Sequence, residues 1–322
     1  MRILFQSVAI CLNMETIRVY APATVANVAC GFDIFGFAVN RPGDEVVLTK
    51  KSTPGIVIKE ITGDEGRLPK EVLKNTAGIA ILKYLEFIGQ PDQGFELSLH
   101  KDMPLGSGLG SSAASAVAGV FAANELMGKP LSQKDLLPFA MEGERVACGS
   151  AHADNVGPSL LGGFVVIRSY EPLDIIQLPT PSDLYASIVH PQIEVNTKDA
   201  RRILEREITL GKTITQMGNV AGLVSGLLMS DYSLIGRSLV DVIVEPARSI
   251  LIPQFQEVKT AALQSGALGC SISGSGPSLF ALSKGEETAK QVAQAMSEAF
   301  CLVGIGSEAY VSQINQQGPM IR

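Results

Sequence analysis

Between Lys101 and Ser115 the sequence reads KDMPLGSGLGSSAAS, with Gly106, Gly108 and Gly110 alternating and Ser111 and Ser112 directly behind them. Glycines at this density let a backbone adopt φ > 0 and approach a ligand with no β-carbon in the way. The apolar run AASAVAGVFAANEL follows at once, so the loop feeds a helix expected from about Ser111 to Met127, ended by Gly128 and Pro130. The unpaired N–H groups and the dipole of a helix start favour a polyanion such as a triphosphate. Lys101 supplies a fixed positive charge at the edge of this cradle, and the hydroxyls of Ser111 and Ser112 are placed to donate to phosphate or to ligate Mg²⁺. A plain linker would be polar on both sides, whereas here a strand leads in and an apolar helix leads out. Neither GxxxxGK[ST] nor GxGxxG fits, because no lysine follows the last glycine and the glycines alternate.

A cradle with so little fixed positive charge needs a metal, and Mg²⁺ takes one or two protein carboxylates besides phosphate oxygens. The segment FAMEGERVACGSAHADNVGPSLLGG offers Glu142 and Glu144, then His152, Asp154 and Asn155. The two glutamates would lie on different faces of a helix, so one of them can face the cradle. On its own, SAHADNVGP also reads as an Asx turn that opens a loop, a reading that leaves His152 unexplained.

These residues have to be positioned by a framework. IRVYAPA, DEVVLTK, GIVIKEI and GFELSLHKDMP read as strands, and LPKEVLKNTAGIAILKYLEFIG as one continuous helix. Another helix starts near SQKDLLPFAMEGE, where Ser132 and Asp135 form a variant capping box. LGGFVVIRSY is a buried strand, and two short strands flank a proline-rich turn at 179–181. That turn is the expected boundary between domains at 14–180 and 181–322. Helices are expected near 197–206, 213–230, 231–240, 253–265 and 286–300. GALGCSISGSGPSLFAL reads as strand, tight turn and strand, and a last strand lies near 305–312. Strands and helices mix without regular βαβ alternation, which implies α+β layers.

Composition narrows the function. With 322 residues and 46% hydrophobic content the chain can bury more than one core. A net charge of −6 argues against nucleic acid as a partner. Five scattered cysteines and three distant histidines form neither a disulfide framework nor a zinc motif, which points to a reducing, cytoplasmic setting. The uncharged stretch between Asp102 and Glu125 is long enough to span a bilayer, but Pro104 and the glycines would leave backbone groups unsatisfied in lipid, so no membrane role is expected. Met1–Asn13 reads as an extension ahead of the first strand, from an upstream start.

Taken together, PLGSGLGSSAAS resembles the nucleotide motif of the GHMP kinases, and ALGCSISGSGPSLFAL resembles their C-terminal glycine motif. APATVANVACGFDIFGFAV, GSAHADNVGPSLLGG, NTKDAR and VEPARSILIPQF resemble the homoserine-phosphorylating branch of that family. The matches run in order from about Pro22 to Phe280. Two departures stand out: Val25-Ala26-Asn27 where Ser-Ala-Asn is common, and Ala29-Cys30 before Gly31-Phe32-Asp33 where a glycine precedes Gly-Phe-Asp. Met1–Asn13 has no counterpart in the family pattern.

The resemblance implies a two-domain α+β fold, with an N-terminal α/β domain like one in ribosomal proteins and a C-terminal ferredoxin-like α+β domain. It implies ATP and Mg²⁺ as ligands, and transfer of the γ-phosphoryl group to the side-chain hydroxyl of L-homoserine on the route to threonine. A homodimer is among the assemblies it allows. For ATP it implicates Lys101, Pro104, Leu105, Gly106, Ser107, Gly108, Leu109, Gly110, Ser111, Ser112, Ala113 and Ala114. For the metal it favours Ser112 and, of the two glutamates, Glu144.

The amino-acid substrate carries a carboxylate that a guanidinium fork suits, so Arg201 and Arg248 are its candidates and Arg202 is expected to be solvated. Asp33, His152 and Asp154 are candidates for the ammonium or for orienting neighbours, and Asn27 and Asn155 for the amino or hydroxyl group. Thr197, four residues before Arg201, shares its helix face. Asn155, Thr197 and Glu144 are the candidates closest to the chemistry, and the resemblance implies that no strong general base is required. Other GHMP kinases, acting on mevalonate or diphosphocytidyl-methylerythritol, and a non-catalytic nucleotide-binding protein are the competing readings.

Overall fold

In the computed structural model, which describes residues 15–149, 152–205 and 207–322, two sheets carry the chain. The extension at Met1–Asn13 lies outside the described residues. The larger sheet has seven strands: β1 (Thr16–Ala26), β2 (Phe35–Lys51), β3 (Ile56–Thr62), β4 (Gly94–His100), β5 (Phe164–Tyr170), β6 (Leu173–Leu178) and β11 (Met320–Ile321). Its main path runs β11-β1-β2-β4-β3, with β5 on the first part of β2 and β6 on β5. The smaller sheet is antiparallel and contains β7 (Leu184–Pro191), β8 (Gly269–Ile272), β9 (Leu279–Lys284) and β10 (Ser307–Gln313), in the order β10-β7-β9-β8.

The chain leaves the large sheet after Leu178 and enters the small one at Leu184, at the proline-rich turn singled out in the sequence. It returns at its end, where β11 pairs with β1.

Two stretches differ from the sequence reading. The strand expected at DEVVLTK starts earlier, at Phe35, and β2 runs through Arg41-Pro42-Gly43, with Gly43 opposite Pro22 and Asp44 opposite Ala21. The expected long helix before β4 is interrupted. A 3₁₀ turn at Val72–Lys74 ends at Asn75, which is extended (φ −104°, ψ 132°) and caps α1 (Thr76–Phe87). Its Oδ1 accepts from the N–H groups of Ala77 and Gly78 at 3.1 and 3.2 Å, and its Nδ2 donates to Pro69 O at 3.0 Å. Apolar periodicity passes through this point, but the asparagine side chain competes successfully for the backbone.

Against the large sheet pack α1, α2 (Ser111–Leu126), α3 (Leu137–Cys148) and α4 (Ala153–Leu161). Helix α2 is buried on nearly every side, which its alanines, serines and Gly119 permit. Helix α4 forms where an Asx turn and loop were an open reading. The second half adds α5 (Thr197–Arg202), α6 (Leu210–Met229), α7 (Tyr232–Ser238), α8 (Glu245–Arg248), α9 (Phe255–Gln264) and α10 (Glu286–Cys301).

The main apolar core crosses the sheet boundary, since Leu184, Ala186, Ile188, Phe280 and Leu282 of the small sheet join it. Phe37 of β2 stacks near Phe164 at 4.7 Å and meets the edge of Phe280 at 5.8 Å. A second core lies between the small sheet and α9 and α10. Phe280 is fully buried and joins the two sheets. Phe280→Ala should therefore lower unfolding free energy by about 3–5 kcal/mol, read from the shift in denaturant midpoint. A loss below about 1 kcal/mol would show that the sheets do not depend on this contact.

Candidate active site

The glycine loop and the start of α2 form one wall of a cavity of about 490 Å³. Gly110 is the N-cap of α2, left-handed at φ 71°, and no side chain caps the helix. The first-turn N–H groups are therefore left for a ligand. A β-carbon on Gly110 would overlap Thr24 Oγ1 and come within 2.8 Å of Asn155 Oδ1. On Gly108 it would lie 2.5 Å from Ser273 O and 2.8 Å from Gly276 O. The C-terminal glycine turn thus rests against the loop, with Ser273 Oγ donating to Gly108 O at 2.7 Å and Ser278 N to Ser107 O at 3.3 Å.

Two expectations for this loop need correction. Lys101 does not present its ammonium to the cradle. The ammonium is buried in an ion pair with Asp44 and donates also to Ser111 O at 2.9 Å and Ser115 Oγ at 2.6 Å. Ser111 Oγ likewise donates to Asp44 Oδ2 at 2.7 Å, so of the two serines Ser112 is the one available to a ligand. Asp44, which sequence reasoning passed over, also accepts from Asp102 N and Met103 N at 2.8 and 3.2 Å. Pro104, Ala113 and Ala114 do not line the cavity; the two alanines are fully buried.

The opposite wall holds the polar candidates. Arg201 Nη2 donates to both carboxylate oxygens of Asp33 at 2.8 Å, and His152 Nδ1 stands 3.8 Å from Asp33. Arg248 is buried, donating to Ala200 O and Gly274 O at 3.0 Å each. Both guanidinium groups lie over the Phe32 ring, at 5.4 and 5.1 Å. Asn27 holds Asp33 N through Oδ1 at 3.0 Å and donates to Gly274 O at 2.8 Å. Thr197 Oγ1 contacts Ser275 Oγ at 3.1 Å. Thr24 Oγ1 donates to Asn155 Oδ1 at 2.7 Å, which leaves the Asn155 amide nitrogen as the other end of that side chain. Arg202 is exposed and pairs loosely with Asp199.

Behind this wall Gln216 of α6 donates to Cys30 O and Asp241 Oδ1, both at 2.9 Å, and accepts from Val242 N at 3.0 Å. Asn27, Val28 and Ala29 are all left-handed, with φ of 70°, 43° and 58°. A β-branched residue at φ 43° is strained, and strain of this kind clusters at ligand sites.

Burial tunes the charges. Asp154 is buried, its Oδ1 has no hydrogen-bond partner among the described residues, and burial first, then Asp33 and Glu144, pushes its carboxyl up to about 7. Burial and the two arginines lower the His152 pKa, against the opposing pull of Asp33. Burial also lowers that of Arg248.

Glu144 is buried on the cavity wall, whereas Glu142 pairs outside with Arg145 at 3.2 Å. Ser112 and Glu144, both on the cavity wall, offer oxygen donors only, which suits a hard cation such as Mg²⁺. Among the described residues no group of three His, Cys, Asp or Glu could hold a metal ion. Leu68, Pro69, Lys74, Asn75 and Thr76 complete the cavity. Sequence reasoning missed them because the segment reads as plain helix.

The family description "GHMP kinases N terminal domain" matches residues 72–163, and "GHMP kinases C terminal" matches 223–300. A homoserine kinase of Chlorobium phaeobacteroides is 53% identical over 96% of this chain and 100% of its own length. This chain belongs to the homoserine kinases of the GHMP kinase family. A second homoserine kinase, from Xylella fastidiosa, is 40% identical over 94% of this chain and 92% of its own. The crystal structure of homoserine kinase from Cytophaga hutchinsonii superimposes with a TM-score of 0.94 at 61% identity, covering all of both chains. L. major mevalonate kinase in complex with R-mevalonate shares the GHMP fold alone, at TM-score 0.69 and 15% identity over 92% and 95% of the two chains. Among the described residues no helix is long and apolar enough to cross a membrane. The cavity joins an uncapped helix start to a polar pocket.

Gly110→Ala should weaken ATP binding at least tenfold, measured by calorimetry, with the melting temperature showing that the variant still folds. Unchanged affinity would remove the loop from the ATP site. Asp154 gives a pH test. Its folded-state pKa of about 7 lies above the ordinary 3.8, so the folded state holds the extra proton between these values. Its contribution to stability is full below about pH 4, falls as pH rises to about 7, and is level above. The melting-temperature gain of Asp154→Asn over the parent should therefore grow across that window. A gain independent of pH would mean that the carboxyl is ionised in the fold.

Proposed function

We propose that this chain transfers the γ-phosphoryl group of ATP to the side-chain hydroxyl of L-homoserine, giving O-phospho-L-homoserine for threonine biosynthesis. The observation that carries the reading is one cavity walled by an uncapped helix start on one side and by Asp33, Arg201 and Arg248 on the other. The triphosphate lies along Gly106–Ser112, where main-chain N–H groups meet its charge. The nucleoside rests against Leu68, Pro69 and Leu105. Arg201 and Arg248 take the substrate carboxylate, and the paired arginines favour an amino acid over mevalonate. Asp33, already holding Arg201, exchanges that partner for the substrate ammonium, with Asn27 and His152 fixing its orientation.

Phosphoryl transfer through a loose transition state asks mainly for alignment and charge neutralisation. Asn155, fixed by Thr24, positions the hydroxyl, and Thr197 donates to the transferring group. Ser112 and Glu144 would hold Mg²⁺, which would supply positive charge to the triphosphate. A second reading comes from Asp154: a carboxyl titrating near neutral pH is suited to accept the hydroxyl proton.

The switch of sheets after Leu178 supports a domain boundary at 180/181. The free, buried thiols of Cys30 and Cys270 support a cytoplasmic setting.

Coupled ADP release should appear with homoserine and Mg²⁺, and neither with mevalonate nor without the metal. A preference for mevalonate would overturn the substrate assignment. Asp154→Asn then separates the two readings. A fall in kcat below about tenfold fits alignment alone; a collapse of 10³ or more with KM unchanged makes Asp154 the base.

A further inference from the structure

Phe32 has unusual neighbours for an aromatic residue. It is half-buried on the cavity wall, yet it joins neither of the two apolar cores. Among the described residues no other ring packs on it. What lies over its ring is charge: the Arg201 guanidinium at 5.4 Å and that of Arg248 at 5.1 Å. The turn that presents Phe32 is tied down on either side. Gly31 N donates to Asn27 O at 2.9 Å, Asp33 N to Asn27 Oδ1 at 3.0 Å, and the Tyr170 hydroxyl to Asp33 O at 2.9 Å. The ring is thus held in place by its own backbone.

We propose that Phe32 is a positioning residue whose ring face draws the two guanidinium groups together, so that one substrate carboxylate meets both. The inference rests on the reading that Arg201 and Arg248 take that carboxylate. The two like charges repel, and only Arg201 has an acidic partner, Asp33. Arg248 is buried and donates to the neutral carbonyls of Ala200 and Gly274; among the described residues no carboxylate pairs with it. The electron-rich face of an aromatic ring attracts a guanidinium, most strongly where water is excluded. The ring therefore offsets the desolvation of Arg248 without a second carboxylate that would compete with the substrate. It also meets the guanidinium on its flat face, which leaves the N–H edge to an anion. Arg201 needs the ring for a different reason. Its side chain is 45% exposed, and it loses its hold on Asp33 when that carboxylate turns to the substrate ammonium. The ring then keeps Arg201 beside Arg248 rather than in solvent, which lowers the ordering cost of binding.

Steady-state kinetics on the full chain test this through the side chain of Phe32. Phenylalanine carrying one, two or three ring fluorines in its place drains charge from the ring face with little change of shape. The KM for homoserine should climb with each fluorine, while the KM for ATP and kcat hold near those of the parent, as when uniform binding of one substrate is weakened. Phe32→Leu keeps an apolar side chain and removes the ring, and should raise the homoserine KM about tenfold. A KM that stays flat across the fluorine series overturns the inference even where Phe32→Leu is impaired or unfolded, because packing alone does not sense the charge of the ring face. The carboxylate reading is checked separately on the parent by calorimetry: homoserine should bind far more tightly than 3-aminopropan-1-ol, which lacks only the carboxylate. Equal affinity overturns that reading and this inference with it. A flat fluorine series beside a parent that prefers homoserine overturns the role of Phe32 alone.

Discussion

The buried pair of Asp44 and Lys101 fixes the geometry on which the site depends. Asp44 sits on β2, just beyond the Pro42-Gly43 step, and its carboxylate takes donors from both ends of the glycine loop: Lys101, Asp102 and Met103 at the entry, Ser111 at the exit. Lys101 in turn reaches the first turn of α2 through Ser111 O and Ser115 Oγ. Loop and helix are thereby pinned to the sheet at one point. Removing either charge would strand the other in the interior, at a cost of about 3–5 kcal/mol. The pair's contribution lies in holding the loop to a single arrangement, so that the helix N–H groups keep their aim without a fixed charge in the cradle.

The wall of the cavity opposite the glycine loop depends on contacts between the two halves of the chain. Gly274 O accepts from Asn27 and from Arg248, while Gly274 N donates to Ala26 O at 3.2 Å. One residue of the C-terminal glycine turn, Gly274, therefore braces the strained Asn27–Ala29 segment and orients a buried arginine. Gln216 supports the same segment from behind and ties it to the Asp241 loop that leads into α8. The strain at Val28 persists because these contacts over-determine the backbone around it.

Much of this was legible in the sequence, for identifiable reasons. The glycine loop announces itself because only glycine tolerates the positive φ and the close approaches at Gly108 and Gly110. The order of motifs along the chain placed Asp33, Asp154, Arg201 and Arg248 around one pocket before any geometry was known. Other features depend on long-range partners and leave little local signal. Asp44 is an ordinary acidic residue at the start of DEVVLTK until Lys101, 57 positions later, is folded against it. Asn75 interrupts a run whose periodicity is helical on both sides, and the cavity wall it builds went unnoticed with it. Pro42-Gly43 has the composition of a turn but the pairing of a strand, because β1 supplies the register. Lys101 was misjudged in the same way: its charge is real, but a neighbour on another strand had claimed it.

Helix α2 has one further consequence. Thirteen of its sixteen residues are buried, most of them alanine, serine or glycine. Such a helix has little side-chain volume left to remove and no space in which to add any, since overpacking a filled interior costs about 1–3 kcal/mol. The α2 side of the cavity is therefore nearly closed to change by substitution. Room for a change in the cavity's shape lies instead in the longer, more varied side chains of α5 and the Asn27–Asp33 segment across the pocket.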